Sequence, residues 1–123
     1  MTGDQFRDMA LGLDGVTEKA HMNHPDFRTK GRIFASLLSN EERAGLKLPV
    51  QEQRVLLRRH PKVFPAAGAW GRQGWTIATL AAADTATIRG ALLLAYEHVT
   101  AAAGTRRARG ARKAGSTRGS RNR

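Results

Sequence analysis

The sequence contains no cysteine, which removes disulfides, thiolate metal sites and cysteine nucleophiles together. Aromatic residues are scarce: four Phe, two Trp and one Tyr among 123 residues. No apolar run approaches the roughly 18 to 20 residues needed to span a bilayer. The longest, around Ala91 to Ala95, sits inside a helical pattern. The opening MTGDQFRDMALGLDG carries acids where a secretion signal carries basic residues, so a cytoplasmic location without membrane contact is expected. The most informative absence is that of acid near the C-terminus. Residues 106–123 hold Arg106, Arg107, Arg109, Arg112, Lys113, Arg118, Arg121 and Arg123 with no Asp or Glu. The formal net charge is +11, yet thirteen basic residues face ten acidic ones in residues 1–105, leaving +3 there. The body is mildly basic, and the tail carries most of the field.

What is present reads as one domain followed by a tail. Phe6, Met9, Ala10 and Leu13 recur at helical spacing after a cap at Thr2 or Asp4, and Asp14-Gly15 ends that helix. Between Val16 and Leu48 the pattern shortens to alternating runs: Glu18 to Met22, Phe27 to Thr29, Arg32 to Leu38 and Gly45 to Leu48. Asn23-His24-Pro25 breaks the first run, and Lys30-Gly31 makes a two-residue hairpin turn between the next two. Pro49 opens a helix to about Arg59 with Val55 and Leu56 on its buried side. Trp75 to Leu80 is a strand. Asp84 or Thr85 caps a last helix in which Ile88, Leu92, Ala95, Tyr96 and Val99 share a face. That helix is expected to fade after Ala103. Residues 104–123, with no large apolar side chain, are expected to form a disordered basic tail. The fold class is α+β: an antiparallel sheet with helices packed on one face, in the order α-β-β-β-(β)-α-β-(β)-α.

Three features bear on function. The stretch GAWGRQGWT, Gly68 to Thr76, holds both tryptophans. A phosphate-cradling loop would need a helix N-terminus after it, and here a strand follows. Trp75 is expected in the core. Trp70, in a Pro/Gly/Ala loop, is open to either core cover or ligand stacking, and Arg72 at the loop tip is free to reach a phosphate. The second feature is Arg28-Thr29-Lys30-Gly31-Arg32, three cations around one turn, a wing tip suited to phosphate contacts. Arg58 and Arg59, at a helix end, are accounted for by the helix dipole. The third is the tail, where Arg106, Arg107, Arg109, Arg112 and Lys113 begin a run that attracts any polyanion in proportion to the phosphates neutralised. It contains no aromatic for stacking on single strands.

Catalysis finds little support. There is no G-x-S-x-G and no recognisable carboxylate pair. His21, His24, His60 and His98 lack a supporting cluster of acids, so neither a metal nor a cofactor is expected.

Four stretches in order resemble the MmcQ/YjbR family: PDFRTKGRIFASL (Pro25 to Leu37), LKLP (Leu46 to Pro49), HPKVFPAAGAWGRQGWTIATL (His60 to Leu80) and AYEHV (Ala95 to Val99). The resemblance implies a fold like that of type III secretion chaperones and DNA binding through a double wing of β-hairpins. It supplies no catalytic set and does not reach the tail. Together these readings lead to a non-enzymatic DNA-binding protein. Its DNA contacts would be Arg28, Lys30, Arg32, Trp70 and Arg72 on the body and Arg106 to Lys113 in the tail. The alternative is a chaperone-like protein-interaction module whose tail alone binds polyanions.

Overall fold

The computed structural model describes residues 1–21, 24–66 and 73–112, giving only the backbone path for His21 and for 102–112. Thr2 is the first cap: its hydroxyl accepts from Gln5 N while the Gln5 side chain accepts from Thr2 N, a reciprocal capping box. The helix it starts, α1 (Gly3–Leu11), buries Phe6 and Ala10. Five strands follow: β1 (Thr17–His21), β2 (His24–Thr29), β3 (Arg32–Leu38), β4 (Arg43–Lys47) and β5 (Trp75–Thr79). Helix α2 (Val50–Arg59) lies between β4 and β5, and α3 (Thr85–Arg112) follows a short 3₁₀ turn at Leu80–Ala82.

Every neighbouring pair of strands is antiparallel, and the sheet order is the chain order β1-β2-β3-β4-β5. The Lys30-Gly31 turn joins β2 to β3 with both residues at positive φ, +53° and +76°. That is the primed turn whose twist matches the strands it connects.

Strand alternation sorts the sheet into two faces. Phe27, Ala35, Leu46 and Thr76 are cross-strand partners in one row, with Leu37, Ala44 and Ala78 in the next, all buried. Helices α1 and α3 cover this face. Phe6 meets Phe27 edge to face at 5.9 Å, and α3 packs on β2, β3 and β4 through Ile88, Ala91, Leu92, Ala95 and Val99. The expected α3 face is the one observed, and Asp84 caps the helix by accepting from Thr87 N at 2.7 Å. One irregularity matters. The register steps from Phe27↔Ala35 to Arg28↔Ile33, so Phe34 is an extra residue in β3. A bulge turns two successive side chains toward one side. Phe34 is therefore as buried as Ala35 and stacks edge to face on Tyr96 of α3 at 5.6 Å.

Two local expectations differ from the structure. Helix α2 buries Gln53, whose amide donates to the Trp75 carbonyl at 3.0 Å; Leu56 and Leu57 pack on the core margin and Val55 is only half-buried. Trp75 is also half-buried rather than a core residue: it pairs with Lys47 on the sheet face away from α3, with Lys47 Nζ 5.7 Å from its ring centre. Alternation decides this, because Thr76 takes the inward position.

His98 of α3 is half-buried, and its pKa is lowered from 6.5, first by burial and then by the charge of Lys47. The unfolded chain therefore binds this proton more readily than the fold, so stability falls as pH drops through and below 6.5. Urea midpoints of His98→Gln should decline less than those of the native chain between pH 7.5 and 5.5. Equal declines would assign the pH dependence to other groups.

Candidate nucleic-acid interface

The cations of the β2–β3 hairpin occupy three different environments. Arg28 and Asp26, two apart on β2, share the far face of the sheet, where Arg28 Nε and Nη2 donate to the two Asp26 oxygens at 2.8 and 3.1 Å. Asp26 is 2% exposed, and a carboxylate that deep needs a paired cation. Its hydrogen bond raises the Arg28 pKa further. Arg28 thus balances an internal charge before it meets any external one. Arg32 sits opposite Thr29 across the turn and is half-buried, its Nη2 out of solvent and without a hydrogen bond among the described residues. Lys30 alone stands exposed, at the tip.

Beside that tip lies an open cleft of about 440 Å³ lined by Asp14, Gly15, Thr29, Lys30, Tyr96 and Thr100. Three elements meet here: the turn after α1, the hairpin and the later part of α3. The Tyr96 hydroxyl donates to the Asp14 carbonyl at 2.7 Å, tying α3 to the turn. Gly15 is at φ +74°, and a Cβ there would come 3.6 Å from Thr29 Oγ1. The hairpin tip is thereby held next to Thr100, the point at which α3 leaves the core.

From there α3 continues. Among its residues with described side chains the last buried one is Val99, and its backbone stays helical to Arg112, past the end expected at Ala103. Residues 101–112 contain five Ala and four Arg, both strong helix formers, which offset Gly104 and Gly110. Arg106, Arg107, Arg109 and Arg112 all lie on this extension. Lys113, Trp70 and Arg72 lie outside the described residues, as does most of the loop that holds the two last named.

The remaining exposed cations are elsewhere. Arg54, Arg58, Arg59 and Lys62 lie on α2 and in the turn after it, while Lys19, Arg43 and Arg89 lie on β1, β4 and α3. Arg7 is fully engaged within the fold, binding Asp4 at 2.7 Å, Glu18 at 3.1 Å and Glu41 at 2.9 Å. It joins α1 to β1 and to the β3–β4 turn. Among the described residues no group of three or more His, Asp or Glu could hold a metal, and no helix is long and apolar enough to cross a membrane.

Sequence reasoning missed Asp26. Its signal was available, since alternation places an acid two residues before Arg28 on the same strand face. It also missed the cleft, which depends on how Thr100 and Lys30 meet in space. In comparison with known proteins, the YjbR family model matches residues 11–98, a span from the end of α1 to α3 that includes all five strands. No curated protein matches the chain.

Proposed function

The chain belongs to the YjbR family, and from that premise we propose that it binds DNA, mainly through phosphates. The contact surface is the end of the molecule where the hairpin tip and the arginine-bearing extension of α3 converge. One observation carries this reading: Lys30 and Thr100 line the same cleft, so the hairpin tip lies beside the point from which the arginine-bearing segment continues. Lys30 contributes one charge, and the extension contributes Arg106, Arg107, Arg109 and Arg112. Phosphate contacts of this type position a protein without reading sequence.

Lys30→Ala should lower duplex affinity and reduce the slope of log K against log salt by about 0.9, the value for a single neutralised phosphate. Arg58→Ala, a cation of α2, should change neither. If both variants behave alike, the hairpin tip is not at the interface.

A second reading has its own support. The far face of the sheet places Asp26, Ser36, Gly45 and Ile77 in one row, with half-buried Ile33 and Leu38 on the same face. The body's exposed cations are also spread over several elements rather than gathered at the hairpin. A protein-interaction module fits that pattern, and on that reading DNA affinity resides in the C-terminal segment alone.

A further inference from the structure

We propose that the α3 extension works as a helix lying in the major groove of double-stranded DNA, rather than as a loose polycation. This rests on the DNA-binding reading and names its ligand form and mode. Among the residues of α3 with described side chains Val99 is the last buried one and Ala101 is exposed, yet the backbone remains helical to Arg112. The twelve residues after Thr100 project about 18 Å at the rise of an α-helix. The part bearing arginine, Arg106 to Arg112, covers about 10 Å, close to three base-pair steps.

Its composition suits a groove. Residues 101–112 are only Ala, Gly, Thr and Arg, so the helix is slim between its arginines. Major-groove width, about 12 Å, admits an α-helix, and arginine there donates in pairs to guanine or to flanking phosphates. Arg106, Arg109 and Arg112 recur at three-residue steps, so successive ones are neighbours along the helix over two turns, while Arg107 falls outside that series. No aromatic residue follows Tyr96, which removes the stacking that single strands reward. Duplex RNA has a major groove too deep and narrow for a helix. Lys30, at the root of the extension, would meet the backbone that borders the occupied groove.

The test uses the full chain, a fluorescent 20-base-pair DNA duplex, the matching single strand and an RNA duplex, with binding read by anisotropy. Ala108→Pro leaves the charge unchanged but removes a helical hydrogen bond and clashes with the Gly104 carbonyl. It lies ten residues beyond the end of the family match, and the melting temperature of the body confirms that the fold is retained. We expect this variant to lose at least about tenfold in duplex affinity, the scale of one interrupted helix. Gly110→Ala should gain up to about fivefold, since it favours the same helix. Methyl green, a major-groove ligand, should compete with the native chain, and netropsin, a minor-groove ligand, should not. Unchanged affinity in Ala108→Pro, competition by netropsin alone, or preference for single-stranded DNA or duplex RNA would overturn the groove assignment. In the first two cases the DNA-binding reading stands. Absence of any duplex binding by the native chain at low salt removes both.

Discussion

Gly74→Ala should destabilise the fold by on the order of 3 kcal/mol or more, a large part of the stability of a domain this size. Gly74 lies at φ +89°, where an L side chain is strained, and its Cβ would fall 2.0 Å from the Leu48 carbonyl oxygen. Neither side can yield. Leu48 is 1% exposed, and its N–H donates to the Gly74 carbonyl at 2.9 Å, extending the β4–β5 ladder one step beyond Lys47↔Trp75. Two other glycines separate strain from collision. Gly31, at φ +76°, has nothing within 4 Å of a Cβ, and Gly15, at φ +74°, would make an ordinary contact. Gly31→Ala should therefore cost only about 1 kcal/mol, from backbone strain alone. Urea unfolding of these two variants beside the native chain measures both effects, provided the m-values agree. If Gly74→Ala is no worse than Gly31→Ala, the close approach of the two strand ends is not a feature of the folded protein.

That glycine also answers what GAWGRQGWT does at its described end: it lets the chain enter β5 against Leu48. The sequence made the strand legible, because Trp75, Thr76, Ile77 and Thr79 favour extended backbone, but not which face Trp75 would take. One residue of register decides that question, and register depends on β4. The Lys30-Gly31 turn and the α3 face were readable from local chemistry, as were the α1 cap candidates. The bulge at Phe34 was not, because the contact it permits is with Tyr96, 62 residues later. The charged hairpin shows the same limit. Three cations around a turn look equivalent in sequence, yet burial of Asp26 commits Arg28, and packing withdraws Arg32. The Asp26–Arg28 spacing is written in the sequence; the burial that commits the pair to each other is a property of the fold. The end of α3 was misplaced for another reason. Lack of apolar residues argues against a packed tail, but it does not argue against a helix that already has a stable one to grow from, since elongation avoids the nucleation cost.

Ending the chain at Ala103 should remove most duplex affinity and nearly all of its salt dependence. Eight basic residues lie beyond that point and none is balanced by acid, so full engagement contributes a slope near −7 in log K against log salt. Between 50 and 200 mM salt the native chain should then lose about 10⁴-fold in affinity, whereas a body contacting one or two phosphates should lose about tenfold or less. The truncation should leave the core intact, because the buried core described ends at Val99 and the family match ends at residue 98. Residual binding with a slope of one to two units, abolished by Lys30→Ala, would place the hairpin tip at the DNA as proposed. A truncated body with a slope of several units would mean that the folded domain has a larger interface, and the α2 cluster of Arg54, Arg58, Arg59 and Lys62 would become its leading candidate. Complete loss of binding would separate the two parts of the molecule: a C-terminal segment for polyanions, and a sheet whose far face, with Ile33, Leu38 and Ile77, serves a different partner.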